Sequence, residues 1–301
     1  MAKLIKLIDT SRCTACRGCQ VACKNWNRNP AGKIERFKGN YQTRKDTNAV
    51  TYTIVKMDEY VDPVNGLQWL FRKHQCMHCE DPACMDVCPR QAYSKTDWGA
   101  TIHDPDRCIG CQYCTYACPW HVPKYFKKED IVTKCTLCAD RVQAGLDKGS
   151  FKDYPLEGWP EGGTDGFPAS GTPRELATYV PACVKTCPAG ALAFGDRDKL
   201  MARAEARVAK LVEEGYRDAN IYGRSEMGGL SVVYILSFKP EVYGLPADPK
   251  VPGQIAAWKN IIQPYFGWLI PLALGASALS FVTTRLLKKA EEISPEEGGN
   301  E

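Results

Sequence analysis

Four cysteines stand at Cys108-x2-Cys111-x2-Cys114-x3-Cys118, with Pro119 directly after them. Three thiolates at this spacing can wrap one iron-sulfur cubane, while the fourth, set apart by the longer step, reaches a neighbouring one. The remaining twelve cysteines repeat the device with variations. They are Cys13, Cys16, Cys19 and Cys23; Cys76, Cys79, Cys84 and Cys88, followed by Pro89; and Cys135 and Cys138, answered by Cys183 and Cys187, followed by Pro188. Sixteen thiolates at four per cluster leave none over, so the expected cofactors are four [4Fe-4S] clusters.

Other cysteine chemistries fit less well. Disulfides suit small secreted chains, whereas this chain has 301 residues and its cysteines lie two or three residues apart, too close to pair with each other. A zinc-stabilised scaffold is the rival from another class, because C-x2-C pairs also build tetrahedral zinc sites. Two such pairs complete one zinc site, which leaves the third cysteine of the triplets 13/16/19 and 108/111/114 surplus. The Cys-Pro endings at 88/89, 118/119 and 187/188 also belong to the cluster pattern.

The repeat implies two ferredoxin-like units, each holding two clusters and exchanging its last ligands. In the middle unit, Cys76, Cys79 and Cys84 take Cys118, while Cys108, Cys111 and Cys114 take Cys88. In the outer unit, Cys13, Cys16 and Cys19 take Cys187, while Cys135, Cys138 and Cys183 take Cys23. The outer unit brackets the middle one in sequence and must close around it. The expected fold is therefore α+β and loop-rich: two nested two-cluster units over residues 1–238, plus one C-terminal transmembrane helix.

The elements that must carry these ligands are short. Val50 to Val55 and Gly66 to Phe71 read as antiparallel strands, and Leu230 to Phe238 as another. Asp198 to Glu214 reads as a helix with Leu200, Ala204, Val208, Leu211 and Val212 on one face, stopped by Gly215. Residues 148–175, rich in Gly and Pro with Trp159 and Phe167, form a surface insertion that could dock a partner. Residues 239–257 read as a Pro-rich linker. Ile261 to Val282 contains no charged residue and is long enough to span a hydrocarbon core, within a membrane segment at 258–287. Trp258, Tyr265 and Trp268 suit an interfacial belt, and Gly275, Ala276 and Ser277 offer a small face to another helix.

Arg285, Lys288 and Lys289 follow the apolar run, so the tail at 288–301 is expected in the cytoplasm and the cluster domain on the far side. The first residues, MAKLIKLID, hold neither a long apolar stretch nor a twin-arginine signal. Export after cluster insertion, on a signal-bearing partner, reconciles the two.

Nothing else in the chain points to catalysis. His74, His78, His103 and His121 show no ligand or nucleophile spacing, and no phosphate loop, dinucleotide fingerprint or Ser/His/Asp set occurs. A net charge of +4 on 39 basic and 35 acidic residues, without a basic block, excludes a nucleic-acid stripe. Arg12, Arg17, Lys24, Arg107 and Lys134 neighbour ligand cysteines and could stabilise a reduced cluster.

Several segments together resemble the iron-sulfur β subunit of respiratory, membrane-bound formate dehydrogenases. They are Cys76-Met-His-Cys79-Glu-Asp-Pro-Ala-Cys84, Lys134-Cys-Thr-Leu-Cys-Ala-Asp-Arg141, Pro181-Ala-Cys-Val-Lys-Thr-Cys-Pro188, Leu7-Ile-Asp9, Gln20-Val-Ala-Cys23 with Trp26, Arg207-Val-Ala-Lys-Leu211 and Gly244-Leu-Pro-Ala-Asp-Pro-Lys250. The resemblance implies an electron-transfer subunit without a catalytic site of its own. Its partners would be a molybdenum or tungsten pterin catalytic α subunit and a membrane cytochrome b γ subunit that reduces quinone. It further implies the bacterial inner membrane, crossed once, with the cluster domain periplasmic and the C-terminus cytoplasmic. The cysteine framework alone is shared with β subunits serving hydrogenases and other molybdopterin oxidoreductases, and such a partner is the alternative.

Metal analysis of the anaerobically purified chain is expected to return about sixteen irons with matching acid-labile sulfide, four per cubane. Stoichiometric zinc without sulfide would replace the cluster reading with the scaffold.

Overall fold

The computed structural model describes residues 3–32, 36, 41–149, 151, 178–257 and 261–293. The chain divides into two units, Met1–Val251 and Pro252–Glu301. In the first unit, strand β1 (Leu4–Asp9) is followed by helix α1 (Gly18–Trp26) and the hairpin of β2 (Ile54–Asp62) and β3 (Gly66–His74). Short elements succeed them: α2 (Ala83–Asp86), β4 (Tyr93–Lys95), β5 (Thr101–His103), α3 (Tyr113–Ala117), β6 (Lys124–Phe126), β7 (Ile131–Thr133), α4 (Ala139–Asp147) and α5 (Ala182–Lys185). The unit closes with β8 (Leu192–Asp196), α6 (Arg197–Glu213), β9 (Asn220–Tyr222) and β10 (Val232–Leu236).

The largest sheet runs in the order β8-β1-β10-β9. β1 pairs parallel to β10 and antiparallel to β8, and β9 is antiparallel to β10. Side chains alternate between the two faces of each strand. Ile5, Leu7, Ala193, Val233 and Ile235 meet Leu200, Ala204 and Leu211 of α6. Leu4, Ile8, Leu192, Phe194, Val232 and Tyr234 face the opposite way, into a core that contains Cys19, Cys76, Cys135 and Cys183. The sheet is thus a partition, with a helix on one side and sulfur on the other. Arg207 of α6 pins the end of β1 through an ion pair to Asp9 at 3.2 Å and a hydrogen bond to Ser11 Oγ at 2.9 Å.

The α6 helix matches its expected span closely. Asp196 caps it, its side chain accepting from the backbone N–H groups of Asp198 and Lys199, and Gly215 takes a positive φ after its end. Val212, expected on the buried face, is exposed, because the face that meets the sheet is narrower than the sequence stripe. The β3 strand extends three residues beyond the expected segment and delivers Lys73 and His74 to the core. Regular pairing in β2 begins only at Ile54; residues 50–53 make no more than an isolated bridge, Asn48 to Thr51. The Pro-rich stretch after Phe238 buries Tyr243 and Leu245 against the first unit's core. Of the insertion at 148–175, all but residues 148, 149 and 151 lie outside the described residues.

The second unit contains α7 (Gly253–Ala257) and α8 (Gln263–Ile293). Gly267–Lys289 is long and apolar enough to cross a membrane. Ser277 Oγ donates to the Ala273 carbonyl at 2.8 Å and Thr284 Oγ1 to that of Ser280 at 2.7 Å. These hydroxyls are therefore satisfied within the helix, as a hydrocarbon surrounding requires. Tyr265 and Trp268 are exposed near its start; Trp258 lies outside the described residues.

Leu200 is fully buried between α6 and the sheet. Leu200→Ala is expected to destabilise the first unit by ~2–5 kcal/mol, whereas Val212→Ala on the exposed face should stay within about 0.5 kcal/mol. Thermal denaturation of the two variants side by side checks the assignment of the faces.

Candidate iron-sulfur centres

Every C-x2-C step that opens a cysteine group turns through a left-handed residue just before its second cysteine: Ala15, His78, Gly110 and Leu137, with φ of 54°, 49°, 65° and 57°. Each Cys-Pro cysteine is followed three residues later by another: Gln91 after Cys88, His121 after Cys118 and Gly190 after Cys187. Left-handed backbone is costly away from glycine, so its recurrence marks a constraint imposed by what the loops surround. The turns bring backbone N–H groups onto sulfur. Leu137 N–H donates to Cys135 Sγ at 3.4 Å, Ala92 N–H to Cys88 Sγ at 3.3 Å and Val132 N–H to Cys108 Sγ at 3.4 Å. Donors aimed at sulfur favour thiolate over thiol.

Two recesses are lined by four cysteines each. One is bounded by Cys13, Cys16, Cys19 and Cys187 with Ile8, Val55 and Lys73. The other is bounded by Cys88, Cys108, Cys111 and Cys114 with Tyr93, His103 and Val132. The remaining eight cysteines lie deeper, and their mutual electrostatic influence sorts them. Cys23 feels Cys135, Cys183 and Cys138; Cys79 feels Cys76, Cys118 and Cys84. Electrostatic influence of the same kind links one set to the next: Cys84 with Cys114, Cys76 with Cys135, and Cys19 with Cys183. The helices follow suit, α1 packing on α5 and α2 on α3. Cys16 and Cys111, in the two recesses at the ends of the row, are the exposed cysteines.

Burial makes these thiols poor acids by themselves. Cys19 is pushed up to about 12, Cys114 and Cys118 to about 11, and Cys138 to about 12, in each case chiefly by desolvation. Cys183 is the exception. Burial pushes it up as well, but the ammonium groups of Lys6 and Lys73 outweigh burial and hold it below the ordinary thiol value. Buried sulfurs in fours, met by N–H donors, suit a large polynuclear cation that ionises all four at once. Among the described residues, no group of three or more His, Cys, Asp or Glu side chains is gathered to hold a metal ion.

The flanking residues divide. Lys134 is buried, donating to the carbonyls of Thr101 and Cys135, with its ammonium 5.9 Å from the Tyr93 ring centroid. Arg17 lines the first recess and donates to the Tyr41 carbonyl at 2.5 Å. Lys24 instead ties the Pro30 and Val50 carbonyls together, and Arg107 pairs with Asp104 at the exposed surface. Arg12 enters no recess lining and is half-buried. Two further lysines escaped the sequence reading. Lys6 and Lys73 are fully buried beside the sulfurs, Lys6 in a strand whose other buried positions are mostly apolar and Lys73 between the buried Arg72 and His74. A lysine on the inward parity of an apolar strand is the signal that could have found Lys6. His103 reaches the second recess, its ring tilted against that of Tyr93 with the centroids 4.8 Å apart. His74 is held between Arg72 and Asp46, and the His78 ring accepts from the Thr101 N–H at 3.1 Å.

Thiols brought together in two four-cysteine recesses, on C-x2-C loops and paired short helices, define an iron-sulfur protein of the ferredoxin type. A family model for the 4Fe-4S dicluster domain matches residues 67–155. The nitrate-inducible formate dehydrogenase iron-sulfur subunit of Escherichia coli is 37% identical over 267 residues, 87% of this chain and 79% of that protein. The formate dehydrogenase iron-sulfur subunit of Haemophilus influenzae is 35% identical over 93% of this chain and 79% of that protein. The hydrogenase-2 operon protein HybA of E. coli O157:H7 is 30% identical over 98% of this chain and 87% of that protein. The chain belongs to the family of formate dehydrogenase iron-sulfur subunits.

Gly110 tests the loop geometry. It has a φ of +65°, and a Cβ there would lie 2.6 Å from the Asp130 carbonyl oxygen. Gly110→Ala is expected to cost ~1–3 kcal/mol and to lower the iron bound per chain. Unchanged iron content with unchanged stability would show that the loop has no need of glycine.

Proposed function

We propose that the chain carries four [4Fe-4S] clusters and conducts electrons from formate oxidation in a molybdenum or tungsten pterin α subunit to a membrane cytochrome b γ subunit and quinone. The ligand sets are Cys13, Cys16, Cys19 and Cys187; Cys23, Cys135, Cys138 and Cys183; Cys76, Cys79, Cys84 and Cys118; and Cys88, Cys108, Cys111 and Cys114. The sets form two nested two-cluster units. A bound [4Fe-4S] cluster supplies reversible one-electron chemistry.

The observation that carries the proposal is the succession of four cysteine sets, with an exposed cysteine in each of the two end sets and only buried or partly buried ones between them. Such a row gives electrons one way in and one way out, and the core around it excludes water and organic substrates. The protein's own residues do the rest. The cysteines hold the clusters, backbone N–H groups steady the charge on sulfur, and Trp120, Tyr222 and Tyr234 fill the core between sheet and loops. The α8 helix crosses the bacterial inner membrane once, with the cluster domain periplasmic and the C-terminus cytoplasmic, in keeping with Arg285, Lys288 and Lys289 after the apolar run. Likeness to HybA favours a second reading in which a hydrogenase supplies the electrons.

The complex purified anaerobically in mild detergent should show cluster reduction by low-temperature EPR on adding formate and none on adding hydrogen. Reduction by hydrogen alone would move the chain to a hydrogenase, and reduction by neither would remove both donors.

A further inference from the structure

Lys6 and Lys73 lie fully buried and share one acceptor. Lys6 Nζ donates to Gln75 Oε1 at 2.9 Å and sits 3.5 Å from Cys183 Sγ. Lys73 Nζ donates to the same Gln75 oxygen and to Thr53 Oγ1 at 2.6 Å. Among the described residues neither lysine is in an ion pair with a carboxylate. Two ammonium groups on one amide oxygen, out of water, repel each other strongly unless anions surround them. The anions at hand are sulfurs. Lys73 borders the recess of Cys13, Cys16, Cys19 and Cys187, while Lys6 touches Cys183 of the adjoining set.

We infer that Lys6, Gln75 and Lys73 form a fixed dication wedged between the two clusters of the outer unit, raising the reduction potentials of both. This rests on the proposed four-cluster reading. Each one-electron reduction adds a negative charge to a site that already carries one, and a cation at contact range in a dry core favours that addition. Lys6 is placed there by strand parity. Lys73 is placed by the three extra residues of β3, and Gln75 holds the two heads at the junction. Lys6 and Lys73 act on the clusters through their charge, and Gln75 is a positioning residue that holds them.

The test is a potentiometric titration of the intact complex, followed by low-temperature EPR, for wild type, Lys73→Met, Lys73→Arg and Gln75→Glu. In Lys73→Met, two of the cluster transitions should move to more negative potential by at least tenfold in the reduction constant, about 59 mV for one electron. The other two should stay in place. Lys73→Arg keeps the charge and should restore the wild-type values. Gln75→Glu keeps the size and the acceptor oxygen but cancels one of the two positive charges, so it should move the same two transitions in the same direction. It also carries the test if Lys73→Met fails to hold its clusters. Wild-type transitions in place with no shift in Lys73→Met or Gln75→Glu would overturn this inference alone. Absence of cluster signals from the wild type would instead overturn the reading beneath it.

Discussion

The structure depends on bringing sixteen sulfurs together, eight of them buried and six partly so. A buried thiol resists ionisation, and a buried thiolate without a counter-charge is more costly still. Convergence in fours around a common cation, as proposed above, would answer both problems, and much of the fold is in keeping with it. Left-handed turns at Ala15, His78, Gly110 and Leu137 bend each loop around its sulfurs. Short helices pack in pairs, α1 on α5 and α2 on α3, to carry the remaining cysteines. The four-stranded sheet closes one side with apolar side chains and supplies Lys6 from its central strand.

The candidate site was largely legible in the sequence because thiolate spacing is a local property. C-x2-C loops and Cys-Pro endings carry their geometry within a few residues, and α6 announces itself by its period, its Asp196 cap and Gly215. What escaped depended on distant parts of the chain. Whether Lys6 points at sulfur or at α6 is decided by pairing with β8 and β10, nearly two hundred residues or more away. Lys73 becomes internal only because β3 runs on to His74 alongside β2. Tyr243 and Leu245 looked like part of a linker, since a Pro-rich composition does not reveal a core waiting to receive two side chains. Val212 failed for the converse reason, its face of α6 reaching past the sheet's edge into solvent.

Burial along the row of cysteine sets divides the tasks. The inner sets hold only buried and partly buried cysteines, and a charge on a buried sulfur feels its neighbours strongly. The outer sets each expose one cysteine, Cys16 or Cys111, where a partner's redox group can approach. Buried lysines attend both units, Lys6 and Lys73 in the outer and Lys134 in the middle one. No carboxylate pairs with these three among the described residues, so their charge is directed at sulfur. Family membership, the apolar α8 helix and this row agree on an electron carrier that serves a larger assembly.

The central claim is that each cluster draws its fourth thiolate from a different cysteine group. An anomalous-difference map at the iron edge, from crystals of the purified complex, tests it most directly. The account predicts four iron sites in a row within this chain, with Cys118 beside the Cys76 group, Cys88 beside the Cys108 group, Cys187 beside the Cys13 group and Cys23 beside the Cys135 group. Iron sites each ringed by one contiguous group, or fewer than four of them, would contradict it.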